Sequence, residues 1–93
     1  MARATARHIL VPTEAACTAL KTDIENGADF AEVARKHSTC PSSRKGGDLG
    51  SFRPGAMVPE FDKVVFSAPV NSVQGPVQTQ FGFHLIEVTA RED

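Results

Sequence analysis

Apolar and small side chains alternate with polar ones along residues 3–11, RATARHILV, so this stretch is expected to form a strand. Ala4, Ala6, His8 and Leu10 would share one face, and Arg7, Ile9 and Val11 the other. Pro12 ends the alternation. From Thr13 and Glu14 the period lengthens to that of a helix, with Cys17, Leu20 and Ile24 on one stripe and Asn26-Gly27 as its stop. Asp29 followed by Glu32 reads as a capping box, and Phe30, Val33, Ala34 and His37 mark a second, shorter helix. Cys17 then belongs to the core, and His37, at the helix end, is assigned no chemistry.

Periodicity lapses over residues 38–45, STCPSSRK, a turn-rich connection in which Pro41 drives Cys40 towards extended backbone. Residues 46–61, GGDLGSFRPGAMVPEF, follow. Their four glycines and two prolines describe a shaped loop that feeds a helix, with a short strand at 49–53. The helix, 59–67, starts on Pro59 and buries Phe61, Val64 and Val65 until Ala68-Pro69 breaks it. Two strands at 73–79 and 83–89 close the chain around Gln80-Phe81-Gly82, with Gly82 supplying the turn. The order strand, helix, helix, strand, helix, strand, strand describes an α+β domain with an antiparallel or mixed sheet. There is no internal repeat, linker or low-complexity segment, so residues 1–93 are read as one domain.

Composition narrows the partners. An apolar fraction of 41% with 23% charged residues is that of a globular domain with a core. A net charge of -1 provides no field to gather nucleic acid or anionic lipid. No apolar run approaches the ~20 residues that a bilayer requires, and the apolar part of MARATARHILV is too short for a signal peptide. The expected location is cytoplasmic, where Cys17 and Cys40, which form no CxxC, would be free thiols.

The candidate chemistry lies in three places. Met57 and Phe61 leave the glycine-rich stretch where they either close the core or offer a thioether and a ring to a small apolar guest. His8 and His84, in the first and last strands, are either separate core histidines or a pair sharing hydrogen bonds beneath a pocket. Cys40 sits at a defined point of the loop. A zinc site from His8, His84 and Cys40 lacks any short-range ligand spacing, and a cysteine nucleophile lacks a local signature. GGDLG has no Walker lysine and serine, and the six phenylalanines are not interleaved with a basic face.

In combination, RHILV, GADFAEVARKHS, Cys40, GGDLGSFRPGAMVPEFDKVVFS and GPVQTQFGFHLIEV resemble the parvulin family of peptidyl-prolyl cis/trans isomerases over nearly the whole chain. The closest likeness is to small single-domain prokaryotic members. The resemblance implies a parvulin-like (FKBP-like) fold, a four-stranded antiparallel sheet wrapped by helices in the order β-α-α-α-β-α-β-β, with a short extra helix near 41–44. It implies that His8 and His84 are paired, that Cys40 occupies the family's central cysteine or aspartate position, and that the Thr79 hydroxyl is bonded near the histidines. Leu49, Met57 and Phe61 would form the proline pocket, with Phe81 at a variable position on its edge.

The activity so implied is non-covalent rotation about X-Pro bonds, without cofactor or metal, acting as a monomer on proline-containing peptides and unfolded chains. Residues 11–14 run almost directly into the first helix and leave no room for the long arginine-rich loop of phosphate-directed members, so phospho-specificity is not expected. Phe81 and Val58 at the pocket edge favour an apolar or small residue before proline. The rival expectation is a chaperone-like module that binds extended proline-containing segments without isomerising them.

Overall fold

The computed structural model describes residues 2–92. Its strands are β1 (Arg3–Val11), β2 (Asp48–Phe52), β3 (Val73–Thr79) and β4 (Gly82–Glu92), and its α-helices are α1 (Glu14–Glu25), α2 (Phe30–His37) and α3 (Pro59–Val65). A 3₁₀ helix, Pro41–Lys45, stands between α2 and β2. The strands form one sheet in the order β2-β1-β4-β3 with every neighbouring pair antiparallel, so the mixed alternative is excluded for this sheet.

The two central strands are the first and last of the chain. β4 runs on to Glu92, past the expected end at 89, because Arg3 pairs with Glu92 and the outermost residues of β1 supply its partner. Alternation then divides the core. Ile9, Val11 and Leu85 join Cys17, Leu20, Phe30 and Val33 beneath α1 and α2. Ala4, Ala6, Ile86 and Val88 join Phe52, Phe61 and Val65 beneath α3. His8 and His84 have the parity of this second group, which is why they meet on the α3 side of the sheet.

Local chemistry sets the helix starts. The Thr13 hydroxyl accepts the Ala16 N–H at 3.2 Å and the Asp29 carboxylate accepts the Glu32 N–H at 3.1 Å. The capping box at α2 is half formed, since the Glu32 carboxylate takes Arg35 at 3.0 Å. On β1 the Arg7 guanidinium bonds Glu87 of β4 at 2.6 Å and lies over the Phe30 ring, tying strand pair to α2.

Residues 41–45 are helical where apolar periodicity indicates only a connection. Pro41 presets the first turn, and Gly46 ends it in the left-handed conformation. Such a short turn shows no periodicity of its own. α3 stops at Val65, before the expected 67, as the Ser67 N–H leaves the helical i−4 pattern and bonds the Val64 carbonyl, three residues back, at 3.2 Å.

Candidate active site

In the β1/β4 register His8 lies opposite Ile86 and Leu10 opposite His84, so the two histidines are diagonal neighbours on one face. Their Nδ1 atoms are 3.0 Å apart, and the rings lie nearly parallel at an interplanar angle of 18°. This contact excludes the reading of two separate core histidines. Phe61, on the first turn of α3, presents its ring edge-on to both, with centroids at 5.5 and 5.6 Å.

Both outer nitrogens also have partners. His84 Nε2 is 2.8 Å from Thr79 Oγ1 on β3, and His8 Nε2 is 3.2 Å from Ser42 Oγ on the 3₁₀ helix. Thr79 Oγ1 further accepts the Phe81 N–H at 3.1 Å. The chain Ser42–His8–His84–Thr79 is satisfied by neutral rings in either of two senses. Either Thr79 donates to His84, His84 to His8 and His8 to Ser42, or every bond is reversed. Burial, then the neighbouring His84, lowers the His8 pKa to about 4, and burial lowers that of His84. At neutral pH both rings are uncharged.

Above this pair opens a cleft of about 530 Å³. His8, Cys40, Leu49, Met57, Phe61, Phe81 and His84, from four elements and the connections between them, all line it. Thr79 does not; it is buried behind His84 as the hydroxyl that holds the ring. The phenyl ring of Phe81, at the β3-β4 turn, is 61% exposed and stands at the rim. Gly82, with φ of 138°, makes this turn beside the Val11 carbonyl, where a Cβ would crowd the backbone.

Leu10, Thr39, Pro41 and Ala56 also line the cleft, together with Val58. Leu10 was legible as the next residue on the His8 face, and Thr39 and Pro41 as neighbours of Cys40. Ser42 had no signal, because a 3₁₀ turn decides where its hydroxyl points. Gly47, with φ of 86°, accepts the His8 N–H on its carbonyl at 3.0 Å, and a Cβ there would collide with the His8 carbonyl. Glycine lets the loop lie against β1 beside the histidine.

Among the described residues no charged side chain lines the cleft, and the imidazoles address each other across 3.0 Å rather than converge on a shared ligand position. Such a site can take an apolar ring into the space by Leu49, Met57 and Phe61 while a thiol and uncharged hydrogen-bonding groups face the attached amide.

The family model for rotamases, the PPIC-type PPIase domain, matches residues 8–90. Among curated relatives, the chaperone SurA of Methylococcus capsulatus is 55% identical over 76 residues, 81% of this chain and 17% of its own. The foldase protein PrsA of a Geobacillus species is 44% identical over 89 residues, 95% of this chain and 32% of its own. The chain thus spans a third or less of these relatives' length. Among solved structures, the peptidylprolyl isomerase PrsA of Bacillus anthracis superposes with a TM-score of 0.96 at 38% identity, covering 99% of this chain and 43% of that one. The parvulin NmPin of Nitrosopumilus maritimus gives 0.87 at 30% identity, covering 97% of this chain and 98% of that one. With the same four-stranded antiparallel sheet and a family match from the first histidine into the last strand, this chain belongs to the PPIC-type PPIase, or parvulin, family.

Proposed function

We propose that this chain accelerates cis/trans rotation about X-Pro peptide bonds in peptides and unfolded proteins, non-covalently and without selecting a phosphorylated residue. The observation that carries the reading is an uncharged cleft in which Leu49, Met57 and Phe61 surround a space backed by the neutral His8–His84 pair, with Cys40 beside it.

The X-Pro bond resists rotation by ~18–20 kcal/mol because amide resonance is lost at the twisted midpoint. Each tenfold in rate needs ~1.4 kcal/mol of stabilisation confined to that midpoint, so ~10⁴-fold asks for about 5–6 kcal/mol. Leu49, Met57 and Phe61 hold the pyrrolidine while the preceding carbonyl turns. The uncharged cleft removes water from the amide, which disfavours the more polar planar form. Cys40 acts as a polar group whose field favours the rotated carbonyl, and His8 and His84, with Thr79 fixing the second ring, keep that polar floor rigid. Phe81 and Val58 favour an apolar or small residue before proline. Two residues, Pro12 and Thr13, separate β1 from α1, which supports the absence of phosphate selection. On its two free thiols we assign the chain to the cytoplasm, and we take it to act as a monomer; cell fractionation and sedimentation test these points.

The test is the cis/trans exchange rate of Ala-Xaa-Pro-Phe peptides with and without the protein. Acceleration that Met57→Ala lowers at least about tenfold is the expected result. Binding at the cleft without acceleration would favour instead the rival reading, a chaperone-like module for extended proline-containing segments, which the relatives named as chaperone and foldase also support.

A further inference from the structure

Ser38, directly after α2, does not line the cleft, yet its hydroxyl accepts two backbone N–H groups at once. Leu10 of β1 donates to Ser38 Oγ at 3.0 Å and Cys40 donates to the same atom at 3.4 Å. Closing α2 does not require this hydroxyl, because the helix is capped by the Ser38 backbone N–H bonding the Ala34 carbonyl at 3.0 Å. The next residue converges on the same point of β1: Thr39 donates to the Leu10 carbonyl through its N–H at 2.8 Å and its hydroxyl at 3.2 Å.

The topology explains why this point of β1 needs a partner. β2 pairs with β1 only from Ala4 to Arg7. Beyond Arg7 the edge of β1 is closed by the Gly47 carbonyl, which takes the His8 N–H, and then by Ser38 and Thr39 on Leu10. A side-chain oxygen replaces the carbonyl that a longer β2 would supply, and the same oxygen holds the amide of the thiol-bearing residue. Cys40 is thereby registered against the strand that carries His8.

We infer that Ser38 is a positioning residue, which sets the Cys40 thiol at the cleft by bridging its backbone to Leu10. The inference rests on the function proposed above only for its effect on rate. Misplacing a group in a site by ~1 Å can cost up to ~10²-fold, so partial loosening of one loop residue should cost about three- to tenfold in kcat. Leu49, Met57 and Phe61, which hold the proline in the proposed function, make no contact with this bridge, so KM stays within about twofold.

The experiment compares the wild-type chain with Ser38→Ala and Ser38→Thr in peptide isomerisation, and in alkylation by iodoacetamide followed residue by residue. Cys17 is the internal control, because burial pushes its thiol up to about 11 and shields it. Ser38→Ala should raise the Cys40 alkylation rate by at least about threefold and lower kcat, and Ser38→Thr, which keeps the acceptor, should return both towards wild type. Unchanged Cys40 alkylation in a folded Ser38→Ala chain overturns the inference, as does a Ser38→Thr chain that behaves like Ser38→Ala. Should Ser38→Ala not fold, amide exchange on the wild-type chain decides: a Cys40 amide as protected as that of Leu10 supports the bridge, and one exchanging at the free rate refutes it. A wild-type chain that does not accelerate isomerisation overturns the proposed function, while alkylation and exchange still decide what Ser38 does.

Discussion

His8 and His84 approach Nδ1 to Nδ1 at 3.0 Å, so one ring must donate the proton that the other accepts, and the pair is held together only while at least one Nδ1 is bare. The sign of the pH dependence follows. The folded-state pKa of His8, about 4, lies below its ordinary value of 6.5. Between these values the unfolded chain binds a proton that the folded chain does not, so stability is fully present above pH ~6.5 and falls as pH drops towards 4. For His8 the loss is about 3 kcal/mol, and His84, shifted the same way, adds to it. Denaturant midpoints measured from pH 7.5 to 4 should fall through this window, and His8→Gln should flatten the curve. A wild-type midpoint that does not move across it would contradict a buried neutral pair.

The proposed proline cup mixes two kinds of side chain. Phe61 is 3% exposed and packs in the core beneath α3, whereas Met57 is half-buried and packs against that core from the loop. Phe61→Ala should therefore cost about 3–5 kcal/mol of stability, whereas Met57→Ala should cost less than about 1 kcal/mol. Both should lose at least about tenfold in kcat/KM. Thermal melts beside exchange assays check this, and a stable Met57→Ala with full activity would remove Met57 from the cup.

If Cys40 acts through its field, a carboxylate in its place should serve. Cys40→Asp is expected to keep more than about a tenth of the wild-type rate, while Cys40→Ala should fall further. NMR exchange spectroscopy on one proline peptide measures both. A folded, peptide-binding but inactive Cys40→Asp would indicate that the thiol itself is needed.

Gly47 faces the His8 carbonyl with φ of 86°, a conformation that costs an L-residue ~1–2 kcal/mol before any clash. Gly47→Ala should lower Tm by about 10 °C or more in a domain of this size. Because the displaced strand carries His8, activity should fall as well. Gly55→Ala is the control: φ is again positive, at 90°, but a Cβ there meets nothing, so the melting loss should be smaller. Equal losses would place the cost in backbone conformation alone.

The first and last strands, the helices and the loop before α3 were legible because each is a local pattern: alternation in RATARHILV, helical spacing of Cys17, Leu20 and Ile24, and proline and glycine at fixed places. Motif resemblance added the short helix near 41–44 and the places of Leu49, Thr79 and Phe81 at the site. The 3₁₀ helix and Ser42 were not legible from residue pattern, because a one-turn element has too few residues to show a period.

What the chain determines by itself is which face each side chain takes along its own strand or helix, since φ/ψ sterics and period are local. That placed His8 and His84 each on an apolar face. Only the tertiary structure decided that the two faces coincide and that the rings touch. The pairing of β1 with β4 brings together residues 76 positions apart, and its register depends on every side chain that must be buried at once.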